Sequence, residues 1–135
     1  MKMGDISRAK VGIRILGDDL IPDEVTSLLQ CQPIETRTKG DVCGSKEHPR
    51  IATTGSWHLH IDEDDASILE EKVNKILNQL TDDLSIWEQI TDRFAADIFC
   101  GLFLEEFNEG FSLSPEIMEK LSDRNLKIDF DIYLP

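Results

Sequence analysis

The chain has 135 residues, 40% of them apolar and 30% charged, which fits one soluble globular domain over residues 1–135 and excludes wholesale disorder. Its 27 Asp and Glu against 14 Lys and Arg leave a formal net charge of −13, which repels nucleic acid and anionic membrane surfaces. Three cysteines form no disulfide framework, Met1 to Lys10 holds no apolar stretch like a signal peptide, and the densest apolar run, 98–104, is far short of a membrane span. Together these predict a reduced, cytoplasmic protein.

The charge is unevenly placed. Residues 1–60 hold eight basic and eight acidic residues, whereas residues 61–135 hold six basic and nineteen acidic ones, so the whole excess lies in the second part. Within the neutral part, Arg37, Lys39, Lys46 and Arg50 face only Asp41 and Glu47 along residues 37–50. A mildly cationic loop therefore stands against an anionic remainder, an asymmetry that acts on partner choice and encounter rate.

In chain order, the alternation of Val11, Ile13 and Ile15 predicts a strand over 9–16. After the turn Gly17-Asp18-Asp19, Pro22 opens a helix with Asp23 and Glu24 beside its positive end, and Pro33 bounds it. A short strand over 34–38 precedes a loop over 39–54. Trp57, Leu59 and Ile61 then alternate with Ser56, His58 and His60 in a half-buried strand over 55–61. The acidic run 62–65 is expected to cap a long helix reaching Leu80, with a break at 81–83 and a second segment through Phe94. The apolar stretch 95–104 reads as a central strand covered on both faces. A polar turn over 105–110, a short helix capped by Ser114 and started by Pro115, and a strand over 126–134 complete the chain.

This order predicts an α+β fold: a ferredoxin-like βαββαβ core with an added αβ unit, a mostly antiparallel sheet and helices on one face. Leu20 to Leu28 and Leu113 to Leu121 share the pattern Leu-x-Pro-acid-x-apolar-x-x-Leu. Helix-start chemistry alone produces this pattern, and duplication of a strand-helix-strand half is the sharper alternative.

No catalytic constellation assembles, and a non-enzyme without cofactor or metal is expected. The segment Gly40 to Lys46 lacks the glycine spacing and flanking elements of a phosphate-binding loop. Cys43, His48, His58 and His60 are zinc-ligand types without diagnostic spacing, so ordinary exposed side chains are the simpler account. Most paired carboxylates fall at turns and helix starts. Trp57, Trp87, Phe94, Phe99 and Phe103 fall on expected core faces, which leaves no basic and aromatic surface for nucleic acid.

Lys39-Gly40-Asp41, Gly55-Ser56-Trp57-His58-Leu59, the run Gly110 to Glu116 and the run Asp129 to Tyr133, with the Pro22-Asp23-Glu24 helix start, give the chain a resemblance. In order and spacing it resembles the bacterial domain-of-unknown-function family 4279 over nearly its whole length. The resemblance implies small intracellular proteins and carries no catalytic residues across. The leading functional expectation is a non-catalytic protein-interaction module, such as an immunity protein neutralising a basic toxin. Its partner would be met by Asp62, Glu63, Asp64, Glu105, Glu106, Asp129 and Asp131. The alternative is a small-ligand-binding or regulatory module using Arg37, Lys39, Lys46 and Arg50.

Overall fold

A computed structural model describes residues 4–6, 8–62 and 67–135. Its elements are β1 (Gly4–Asp5), β2 (Ala9–Gly17), α1 (Pro22–Leu29), β3 (Glu35–Arg37), β4 (Val42–Gly44), β5 (Pro49–Ile51) and β6 (Gly55–Ile61). They continue with α2 (Leu69–Gln79), α3 (Leu84–Arg93), β7 (Ala95–Phe103), β8 (Glu109–Gly110), α4 (Pro115–Asp123) and β9 (Lys127–Tyr133).

Helix boundaries follow local chemistry. Pro22 occupies the first turn of α1, and Gln30 ends the helix in the left-handed region at φ 58°, its N–H donating to the Thr26 carbonyl. Asp83 caps α3 by accepting from the Ser85 N–H at 2.9 Å, and Ser114 caps α4 by accepting from the Ile117 N–H. The expected cap of α2 is corrected. The helix starts at Leu69, later than the acidic run, after Ile68 and without a side-chain cap. Glu63, Asp64 and Asp65 lie outside the described residues. Glu70 in the first turn instead accepts the Ser114 N–H at 2.5 Å, tying the starts of α2 and α4 together.

The main sheet has five strands in the order β3-β6-β2-β7-β9, antiparallel except for the parallel β7–β9 pair. Alternation puts Val11, Ile13, Ile15, Trp57, Leu59, Ile98, Cys100 and Leu102 on one face, all 5% exposed or less. The helices cover that face with Val25, Leu29, Val73, Ile76, Trp87, Ile90, Ile117 and Leu121. Both buried indoles are satisfied: Trp57 donates to the Thr26 hydroxyl at 3.0 Å and Trp87 to the Thr81 carbonyl at 2.8 Å. The α+β class, the mostly antiparallel sheet and its packing helices are as the sequence predicts.

The connectivity follows the expected βαββαβ pattern, its strands lying in the order β3-β6-β2-β7, with the α4–β9 unit added beside β7. α1 leads from β2 to β3, two parallel strands separated by β6, which runs antiparallel to both. β6 and β7 both run against β2, so β6–α2–α3–β7 is a second split crossover, with β2 lying between its two parallel strands. β7–α4–β9 then forms an ordinary parallel unit. The two Pro-started helices therefore join their flanking strands in different ways. Gly17 and Gly55 sit opposite each other where β2 and β6 approach closely; a Cβ on Gly55 would lie 2.8 Å from the Gly17 carbonyl oxygen.

Two further expectations are corrected. The loop over 39–54 contains the β4–β5 hairpin, which stands apart from the main sheet. β7 is covered by helices on one face only, and Asp97, Phe99 and Phe103 project from the other. Phe99 and Phe103 therefore leave the expected core face, because arginines rather than a helix shield their rings. The Arg14 guanidinium lies 4.3 Å from the Phe99 centroid and that of Arg8 5.0 Å from Phe103.

Candidate functional site

The sheet face away from the helices carries the concentrated chemistry. Strand register sets Glu35, His58, Arg14, Asp97 and Lys127 opposite one another, one from each strand across the sheet. Arg14 donates from Nε to Asp97 Oδ1 at 2.9 Å and from a terminal nitrogen to Oδ2 at 2.5 Å, the two-point geometry that guanidinium and carboxylate favour. Asp129 lies 3.9 Å from Arg14 and 3.6 Å from Lys127.

This arrangement separates the two carboxyls. Burial pushes Asp97 up, but hydrogen bonds from Arg14 and Asp129 and the nearby cations outweigh it and hold Asp97 below the usual carboxylate range. Asp129 moves the other way, raised chiefly by its hydrogen bond with Asp97, because two carboxyls in contact resist sharing two negative charges. Burial lowers His58 more than Glu35 raises it, which favours the neutral ring at pH 7. His60 pairs with Asp62 at 3.1 Å.

Two depressions meet at His58. One of about 250 Å³ lies over β2 and β6 and includes Lys10, Arg14, His60 and Phe99. The other, about 320 Å³, is walled by the β4–β5 hairpin and includes Arg37, Cys43, Arg50 and Ser56. A larger depression of about 680 Å³ on the helix side is lined by apolar residues such as Phe94, Met118 and Ile128, without convergent ionisable groups.

The four basic residues singled out in sequence divide. Arg37 and Arg50 come together in the hairpin-walled depression. Lys39 pairs with Asp18 at 3.4 Å, and Lys46 is exposed in the hairpin turn, outside that depression. Cys43 and His58 share the depression, whereas His48 lies in the hairpin turn and His60 further along β6. Among the described residues, no three His, Cys, Asp or Glu side chains are grouped as metal ligands.

The acidic residues divide too. β6, β7 and β9 run in the same direction, so Asp62, Glu105, Glu106 and Asp131 fall at or near one end of the sheet, opposite the end carrying Arg37 and the hairpin. Glu109 organises the turn there by accepting the N–H groups of Glu105 and Glu106, each at 2.7 Å. Asp131 accepts the Tyr133 hydroxyl at 2.6 Å. Asp129 belongs to the row around Arg14, and Glu63 and Asp64 lie outside the described residues.

Sequence reasoning passed over Lys10, Arg14, Asp97 and Phe99. One signal for them was present: Asp97 is the lone charge in the apolar run 94–104. A carboxylate buried in a strand stays charged only with a cation or hydrogen-bond donors against it, and Arg14 on β2 supplies both here.

No helix among the described residues is long and apolar enough to cross a membrane. No curated protein and no solved structure matches the chain. The family model described as a domain of unknown function, DUF4279, matches residues 7–135, nearly the whole length, and the chain belongs to that family.

Proposed function

We propose that the chain is a non-catalytic protein-interaction module whose anionic sheet end receives a basic protein, as an immunity protein neutralising a basic toxin would do. The observation that carries this reading is the common direction of β6, β7 and β9, which gathers Asp62, Glu105, Glu106 and Asp131 from distant parts of the sequence. Phe107, 84% exposed, stands in the same turn as Glu105 and Glu106 and provides an apolar anchor inside the acidic rim. β9 is the longer of the two edge strands, with Phe130 and Ile132 exposed. Two thiols are ill suited to nucleophilic chemistry: burial pushes Cys100 up to about 12 and also raises Cys31.

The reading is tested by affinity capture from a lysate of the encoding organism at low and moderate salt. The bait is compared with a Glu105→Gln, Glu106→Gln, Asp131→Asn variant. A basic protein retained at low salt, weakened by salt and lost with the variant is expected. No protein partner at either salt, or equal capture by the variant, overturns it.

A further inference from the structure

The hairpin β4–β5 is the least explained part of the fold. It pairs with no strand of the main sheet, and it leaves Val42 and Ile51 exposed at 76% and 68%. Yet its base is firmly latched. Gly40 N–H donates to the Ala52 carbonyl at 2.9 Å, Ala52 N–H to the Asp41 carbonyl at 2.8 Å, and Thr38 N–H to the Asp41 carboxylate at 2.8 Å. These bonds close the base of the hairpin, whose Cys43, Arg50 and Ile51 form one side of the depression of about 320 Å³.

The walls of that depression have a consistent chemistry. Arg37 enters from β3 and Arg50 from β5, while Ser56 and His58 project from β6. Arg37 is partly compensated by Glu35 at 2.9 Å, whereas Arg50 forms no ion pair with any described residue. Ser56 is 6% exposed as a residue; its hydroxyl has no hydrogen-bond partner among the described residues and keeps contact with solvent at the depression. Leu16, Ile51 and Ala52 supply an apolar side. A guanidinium without an ion pair among the described residues and a solvent-reachable hydroxyl free to bond, set against apolar surface, suit an oxyanion attached to a small apolar body.

We propose that this hairpin-walled pocket is a binding site for a small organic oxyanion, a phosphate or carboxylate head on an apolar body. Arg50 and Arg37 grip the head, and the Ser56 hydroxyl orients it. The anionic sheet end is not involved, so the site stands or falls independently of the protein-partner reading.

The test titrates the full chain with phenyl phosphate, benzoate and the neutral analogue benzyl alcohol at matched ionic strength. Binding is read by calorimetry and by amide NMR shifts. Saturable binding of phenyl phosphate or benzoate, with shifts centred on residues 53–58 and none from benzyl alcohol, is expected; the tighter of the two anions identifies the head group. Arg50→Ala and Arg37→Ala should each weaken binding about tenfold, the usual size of a charge-assisted contact. Lys46→Ala removes the same charge from the same hairpin outside the pocket and should leave affinity unchanged. Absence of saturable binding by both anions, equal binding of benzyl alcohol, or equal weakening by Lys46→Ala overturns the site.

Discussion

Asp97 sits 6% exposed in an otherwise apolar strand and stays ionised there because the Arg14 guanidinium grips both of its oxygens. The same guanidinium covers Phe99, so one side chain shields an aromatic ring and neutralises a buried charge. Asp97→Asn should lower stability at neutral pH by about 1–3 kcal/mol, the range for a partly buried hydrogen-bonded charge, measured by urea unfolding. The sign with pH follows from the depressed carboxyl. The unfolded chain takes up the proton first, near pH 4. The stabilisation from Asp97 is therefore complete above that value and fades as pH falls through the lower folded one. The gap between wild type and Asp97→Asn should narrow below about pH 4; a gap unchanged with pH would show that the two-point bond is not its source.

At the scale of elements, β2, α1, β6, α3, β7, α4 and β9 are close to where periodicity and capping place them, since each carries its own repeat or start signal. The hairpin was illegible because its three-residue strands show no alternation and depend on backbone latches and a glycine turn. Gly44 adopts φ 86°, and a Cβ there would come within 2.6 Å of the His48 carbonyl oxygen. Gly44→Ala should strain the hairpin by about 1–3 kcal/mol. Faster hydrogen exchange at the Ala52 amide, with the core of β2 unchanged, is the expected readout. Exchange at Ala52 matching wild type would mean that the turn tolerates the side chain. The candidate site was half legible for the same reason: Arg37 and Arg50 stood out as local cations, whereas their separation from Lys39 and Lys46 required the fold of the hairpin.

Across the whole molecule, the net charge of −13 acts on the folded state as self-repulsion. Moderate salt should therefore raise the thermal midpoint at pH 7 by screening it, and a midpoint that falls on going from low salt to 0.15 M would contradict this. The charge is also directional, with acidic residues gathered where β6, β7 and β9 end and Arg37 and Arg50 near the opposite end. By itself the sequence determined the α+β class, most elements, the Pro22 and Ser114–Pro115 helix starts and the unequal partition of charge, because those depend on residues within a few positions of one another. Only the tertiary structure decided that Arg14 meets Asp97, that the β4–β5 hairpin stands apart from the main sheet, and that Arg37 and Arg50 line one depression. Strand order and register join residues far apart in the chain, and no local repeat encodes which strand becomes the neighbour.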